Sequence, residues 1–156
     1  SVGEPKEDMH RLTRSTAPLL PAEKPRYLMG VGFAEDSVAA VGAGVVMFDC
    51  VLPTRLARHG TLLTFGGRVV LRNASMAEDE RPIEETCRCP TCSAHSRAYL
   101  RHLMMAGEIL GMVLCTVHNI HFYQELMRRI RAAIEEDRFE TWAERALPGL
   151  RARRAG

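Results

Sequence analysis

Cys87, Cys89 and Cys92 form a C-x-C-x2-C run, and three thiolates delivered by one tight loop suit the tetrahedral, sulfur-rich shell of a zinc ion. Pro90, inside the run, helps to fix the loop because its ring locks one backbone torsion. A fourth ligand must come from elsewhere in the chain. His118, 26 residues beyond Cys92, is the leading candidate, expected in the first turn of a helix that Thr116 would cap. His95, His102, His121 and Cys115 compete with it. The histidines also read as residues of helix faces, and Cys115 as a small buried hydrophobe. Four protein ligands would leave no position for a catalytic water, so the expected zinc is structural.

A second chemical feature is Asp49, the only charge in the apolar run VVMFDCVLP. A buried carboxylate is costly unless it is paired or used. At the carboxyl end of a parallel strand it would open onto the face where α/β proteins place their chemistry. The plainer reading is a carboxylate that caps the turn at PTR, residues 53–55. Arg55 and Arg58, with His59, follow in PTRLARHG and could hold phosphates at the mouth of that face, or could simply be solvated.

The surrounding elements have to position these groups. A short polar helix in GEPKEDMHRLTRS leads to a connector whose Pro18, Pro21 and Pro25 exclude a helix interior. Residues 27–31 read as a buried strand, FAEDSVAAVGAG as a helix with Gly44 at its C-cap, and residues 45–52 as a second buried strand. A crossover of that length makes the strands parallel, with both faces covered. TLLTF and RVVLR flank Gly66-Gly67 and predict a hairpin. Beyond the cysteines, residues 93–111 read as a helix stopped by Gly111. From His118 an amphipathic helix follows, with Ile120, Tyr123, Met127, Ile130 and Ile134 on its apolar face. Phe139, Trp142 and Ala146 suggest one more short helix before a basic, frayed tail.

Composition excludes several classes. The 156 residues are 46% apolar and 26% charged, enough for one globular unit. A balance of 21 basic and 19 acidic residues does not by itself announce a nucleic-acid partner. No apolar run approaches a membrane span, and the polar first residues lack a signal-peptide core, so a cytoplasmic location is expected. Five cysteines, three of them clustered, suit a metal better than a disulfide ladder. A start at Ser1 rather than Met suggests a piece of something longer.

PRYLMGVG (25–32), MFDCVLPTR (47–55), CRCPTC (87–92), SRAYLRHL (96–103), GEILG (107–111) and HNIHFYQELM (118–127) together resemble the bacterial tRNA-guanine transglycosylases, or queuine tRNA-ribosyltransferases. The resemblance runs nearly end to end, and the order and spacing of its motifs make it specific. It implies an α/β fold, the C-terminal portion of an irregular (β/α)8 TIM barrel with an inserted zinc-binding subdomain. Residues 1–59 would supply the last strands and helices of the barrel, 60–118 the hairpin and zinc subdomain, and 119–156 the closing helix and tail.

The resemblance also implies roles. Asp49 matches the family's nucleophile, which attacks the ribose C1′ of the wobble guanosine and forms a covalent tRNA adduct; a 7-deazaguanine base then displaces it. Val2, Glu4, Tyr27, Met29 and Gly30 match positions around the base, and Val2 leans toward 7-aminomethyl-7-deazaguanine. Arg55 and Arg58 match arginines on the tRNA anticodon loop, and Cys87, Cys89, Cys92 and His118 match the structural Zn(2+) ligands. No ATP or redox cofactor is implied, and the family's homodimer is the expected assembly of the whole enzyme. The family's general acid/base and most of its guanine pocket have no counterpart here, so the isolated chain is expected to be inactive. Other readings are a non-catalytic zinc-stabilised partner subunit, which retention of Asp49 disfavours, and a tRNA-binding module. The latter would need a basic face with aromatics for stacking, and the nine aromatics fall mostly in apolar helix stripes.

Overall fold

The structure is a computed structural model, and it describes residues 3–152. Seven helices and two small sheets are described: α1 (Lys6–Thr16), β1 (Tyr27–Leu28), α2 (Ala34–Gly42), β2 (Met47–Phe48), α3 (Leu52–Arg58), β3 (Thr61–Thr64), β4 (Gly67–Val70), α4 (Pro90–Ala94), α5 (Arg97–Ala106), α6 (Ile109–Glu135) and α7 (Phe139–Arg151).

β1 and β2 pair in parallel, with Tyr27 opposite Met47 and Leu28 opposite Phe48, as a βαβ crossover through α2 requires. Gly44 takes φ +94 just beyond α2, the left-handed turn that ends a helix and that glycine tolerates best. Both strands are shorter than their apolar runs, and the expectation that both faces are covered fails. Tyr27, Met47 and Val46 are about half exposed, at 49%, 48% and 57%. Among the described residues only β1 and β2 pair in parallel, and these side chains are left half exposed. Among the described residues both sheets are two-stranded and no closed barrel forms.

β3 and β4 form the antiparallel hairpin, but its turn is Phe65-Gly66, one residue earlier than expected. Gly67 belongs to β4 with φ +118, and a Cβ there would stand 2.6 Å from the Ala152 carbonyl oxygen. Ala152, just beyond α7, lies against Gly67, with the Arg68 amide donating to Ala152 O at 3.1 Å. Leu62 and Leu63 face opposite ways and are both buried, because β3 runs between two apolar cores. One core, beside the cysteines, includes Leu71, Ile83, Leu100 and Met104. The other, under α6 and α7, includes Val38, Phe122, Leu126 and Ile130.

Gly111 is not a helix stop. α5 ends at Gly107, which takes the left-handed φ +76, and Gly111 lies inside α6. A Cβ at Gly111 would approach Leu103 Cβ to 3.0 Å and Met104 Sδ to 3.2 Å, so glycine is there for close helix packing. α6 therefore starts at Ile109, and Thr116 and His118 are interior residues rather than a cap and a first turn. The buried stripe of α6 is also offset from the expected one: Cys115, His118, Asn119, Phe122, Leu126, Ile130 and Ala133. Ile120 and Ile134 are exposed, and Tyr123 and Met127 sit at the margin of the core. A spacing of three and four fits both stripes, and only packing chooses between them. No helix among the described residues is long and apolar enough to cross a membrane.

The segment between hairpin and cysteines is irregular and is held by a buried ion pair. Arg97 Nη1 donates to Asp79 Oδ2 at 2.9 Å with both side chains only 7% exposed, and Arg97 Nη2 donates to Ile83 O at 2.8 Å. Hydrogen bonds from Arg81, then from Arg97, hold the Asp79 carboxyl well below its usual range. Removing one partner strands a buried charge, so Asp79→Asn is expected to destabilise the fold by about 3–5 kcal/mol in chemical denaturation. Because the folded-state pKa is depressed, this stabilisation is fully present above the ordinary 3.8 and is lost as pH falls below it, toward the folded value.

Candidate functional site

The metal centre is assembled from three places. Cys87 and Cys89 come from the irregular segment, Cys92 from α4, and His118 from the middle of α6. Pro90 occupies the first position of α4, where a missing N–H costs nothing, and the Cys92 amide donates to Cys89 Sγ at 3.3 Å. The loop is thereby turned so that its thiols converge. All four donor atoms lie within 4.8 Å of one another.

His118 Nδ1 is 3.8, 3.6 and 3.3 Å from the Sγ atoms of Cys87, Cys89 and Cys92. A tetrahedral zinc bound by thiolates and imidazole separates S from N by about 3.5 Å, so the residues fit the ion. The other ring nitrogen, Nε2, donates to Leu63 O at 2.8 Å, which leaves the Nδ1 lone pair to the metal and fixes the ring plane. The thiols are too close to ionise independently. The Cys92 thiol hydrogen-bonds Cys89 and, with help from His118, draws it down, while Cys92 is pushed up in return. A dication at the centre removes that conflict.

The rival ligands lie outside the cluster. His95 stacks on Tyr99 with ring centroids 5.1 Å apart, and burial pushes the Cys115 thiol up to about 12. His118 is joined in the fold by Asn119, which composition did not single out. Its Oδ1 accepts from the Leu63 amide at 3.0 Å, and its Nδ2 donates to Pro53 O at 3.0 Å and Thr61 O at 3.1 Å. An amide on the same helix face as the apolar Cys115 and Phe122 was the signal that could have marked it.

Asp49 follows β2 directly, and it is exposed rather than buried. The cost of burial is therefore not what explains it. Nor does it cap the following turn among the bonds seen: Tyr27 Oη donates to Asp49 Oδ1 at 2.7 Å, and the Gly30 amide donates to the same oxygen at 3.1 Å. Gly30 adopts φ +72, which aims its N–H across from the end of β1 and which a side chain would strain. Tyr27, then Gly30, holds the Asp49 carboxyl below the usual carboxylate range, and Tyr27 is raised in turn by Asp49.

The carboxylate borders an open cleft of about 430 Å³, shared with Met47, Pro53, Ile120, Tyr123 and Met127. Met29 is 62% exposed beside Gly30. Arg55 and Arg58 are exposed on α3, the helix that follows Asp49. Glu4 is half-buried just ahead of α1, and Val2 lies outside the described residues. The geometry thus brings Tyr27, Gly30 and Asp49 together by direct bonds. What this arrangement offers is an ionised, exposed carboxylate at the end of a parallel strand, across a cleft from α6, the helix that carries the metal ligand His118.

Fold and site together define a mixed α/β chain built around a Cys3His metal centre. Residues 1–151 match the family described as Queuine tRNA-ribosyltransferase, and the chain belongs to that family. Its metal ligands match the family's zinc site. It is 59% identical over 143 residues to the queuine tRNA-ribosyltransferase of Methylobacillus flagellatus, 57% over 145 to that of Thiobacillus denitrificans, and 54% over 144 to that of Listeria innocua. These matches cover 92%, 93% and 92% of this chain but 39%, 40% and 38% of the relatives, so the chain spans about two fifths of their length.

Proposed function

We propose that this chain serves as the C-terminal part of a tRNA-guanine transglycosylase, which exchanges guanine at the tRNA wobble position for a 7-deazaguanine base in queuosine synthesis. The observation that carries the reading is the exposed Asp49 carboxylate, kept ionised by Tyr27 and Gly30 at the end of β2. An Asp49 oxygen bonds to the ribose C1′ as the bond from C1′ to guanine N9 breaks, and the electron pair leaves with guanine, which takes up a proton from a general acid of the whole enzyme or from water. The incoming base then forms its own N9 bond to C1′ as the aspartyl ester breaks, its N9 proton passing to a base of the whole enzyme or to water and Asp49 leaving as carboxylate, so two inversions give net retention.

Met29, with Gly30, forms a flat, polarizable wall for the purine, and Tyr27 supports it while orienting Asp49. Val2 and Glu4 complete that side of the base pocket, with Val2 favouring 7-aminomethyl-7-deazaguanine. Arg55 and Arg58 bind the phosphates of the anticodon loop. The zinc, when bound, holds the hairpin, α4 and α6 together and takes no part in the reaction. Residues 1–59 belong to a TIM barrel, 60–118 to its zinc subdomain and 119–156 to its closing helix and tail, with α6 running through the last boundary. The whole enzyme is a cytoplasmic homodimer.

The half-exposed Tyr27, Val46 and Met47 support a further statement, that the isolated chain does not turn over. The test is a chimera in which this chain follows the front part of the Methylobacillus flagellatus relative. The chimera should exchange labelled guanine into tRNA, and denaturing quench should trap a tRNA adduct that peptide mapping places on Asp49. The isolated 156 residues should show neither. An adduct on another residue, or robust exchange by the isolated chain, sinks the reading.

A further inference from the structure

α6 brings His118 to the metal, and two other side chains of the same helix reach backbone on either side of Asp49. Asn119 Nδ2 donates to Pro53 O at 3.0 Å, at the start of α3, the helix that follows Asp49. Tyr123, one helical turn further on, donates its hydroxyl to Gly32 O, in the turn that follows β1. That second turn is the one whose Gly30 amide donates to Asp49 Oδ1 at 3.1 Å.

The turn is held from its other side as well. A Cβ on Gly32 would stand 2.5 Å from Leu52 Cδ1 and 2.8 Å from Cys50 Cβ, so residues that flank Asp49 press directly on Gly32. The Tyr123 hydroxyl and the Cys50 side thus grip one peptide segment between them. Burial pushes the Tyr123 phenol up from its ordinary value, which keeps the hydroxyl a donor at any physiological pH.

We propose that Tyr123 is a positioning residue for Asp49: by anchoring Gly32 to α6 it fixes the Gly30 amide, and with it the direction in which the carboxylate points. The inference rests on the reading that Asp49 is the nucleophile. The same helix carries the metal ligand, so the metal-stapled subdomain and the nucleophile share one rigid support. Loss of the hydroxyl frees the turn, and displacements on the scale of 1 Å at a reacting group cost about 10²-fold in rate.

The experiment uses the chimera described above with Tyr123→Phe, which keeps the ring and removes only the hydroxyl. The kcat should fall about 10- to 100-fold while KM for tRNA and zinc content stay unchanged. Amide hydrogen exchange over residues 27–33 should quicken, with residues 87–92 unaffected. An unchanged kcat, or unchanged exchange over residues 27–33, overturns the proposal. So does a fall in kcat accompanied by loss of zinc, because that marks a general structural role. Asp49→Asn run in parallel separates the two ideas. If it keeps turnover, the nucleophile reading fails and this inference with it; if it is inactive while Tyr123→Phe is normal, only this inference fails.

Discussion

His118→Ala is expected to abolish zinc binding and to melt the segment between the hairpin and α6. The imidazole is fully buried and touches all three thiols, while its Nε2 ties α6 to β3 through Leu63 O at 2.8 Å. An alanine there leaves three thiols converging on a gap and an unpaired carbonyl in the core. Structural zinc in small domains contributes about 10–16 kcal/mol of apparent binding free energy at neutral pH. A whole domain is stable by only about 5–15 kcal/mol, so the metal-free state cannot keep this region folded. Few other forces are available to replace it, since residues 71–89 form no strand or α-helix and depend on the Asp79–Arg97 pair and the cysteines for their path. Elemental analysis should find one zinc per chain before the substitution and none after it, and chelation of the parent protein should give the same loss of helix signal. His95→Ala and His102→Ala, outside the cluster, should keep full zinc content. If either lost it, or if His118→Ala kept its metal, the ligand set would be wrong.

The parts of this architecture that were legible in the sequence share a physical cause: each is fixed by local chemistry. Three cysteines within six residues announce a metal because no other use of that spacing is common. The apolar runs around α2 announce a parallel pair because the crossover leaves no other arrangement. What could not be read depends on packing between distant segments. Whether Gly107 or Gly111 ends α5 is decided by the close approach of α6 to Leu103 and Met104, which nothing local to either glycine records. The offset of the α6 stripe has the same origin, since Ile120 lies exposed beside the open cleft while Asn119 is buried in a network of three bonds. Choosing His118 over its rivals from spacing alone was likewise impossible. The fold decides it, by setting the histidine at the point on α6 where Leu63 O can hold its far nitrogen.

Asp49→Asn should reduce guanine exchange by the chimera by about 10³-fold or more, the scale seen when a nucleophile is removed from a covalent mechanism. The substitution is chosen because it changes little else. The amide oxygen of asparagine can still accept from Tyr27 Oη and from the Gly30 amide, which now bond Asp49 Oδ1 at 2.7 and 3.1 Å. What disappears is the negative charge that would stabilise an electron-poor C1′ and form the ester. Asp49 is exposed, so no buried charge pair is broken, and the thermal midpoint and zinc content should match those of the parent. Binding of tRNA should also hold if it rests on Arg55 and Arg58 of α3, as proposed, because the substitution leaves both in place. A loss confined to kcat, with KM for tRNA steady and no trapped adduct, is the expected signature of a group that acts only on the reacting bond. A rise in KM with kcat preserved would instead make Asp49 a binding residue, and the carboxylate at the end of β2 would then have to be reassigned from forming a bond to recognising the ribose.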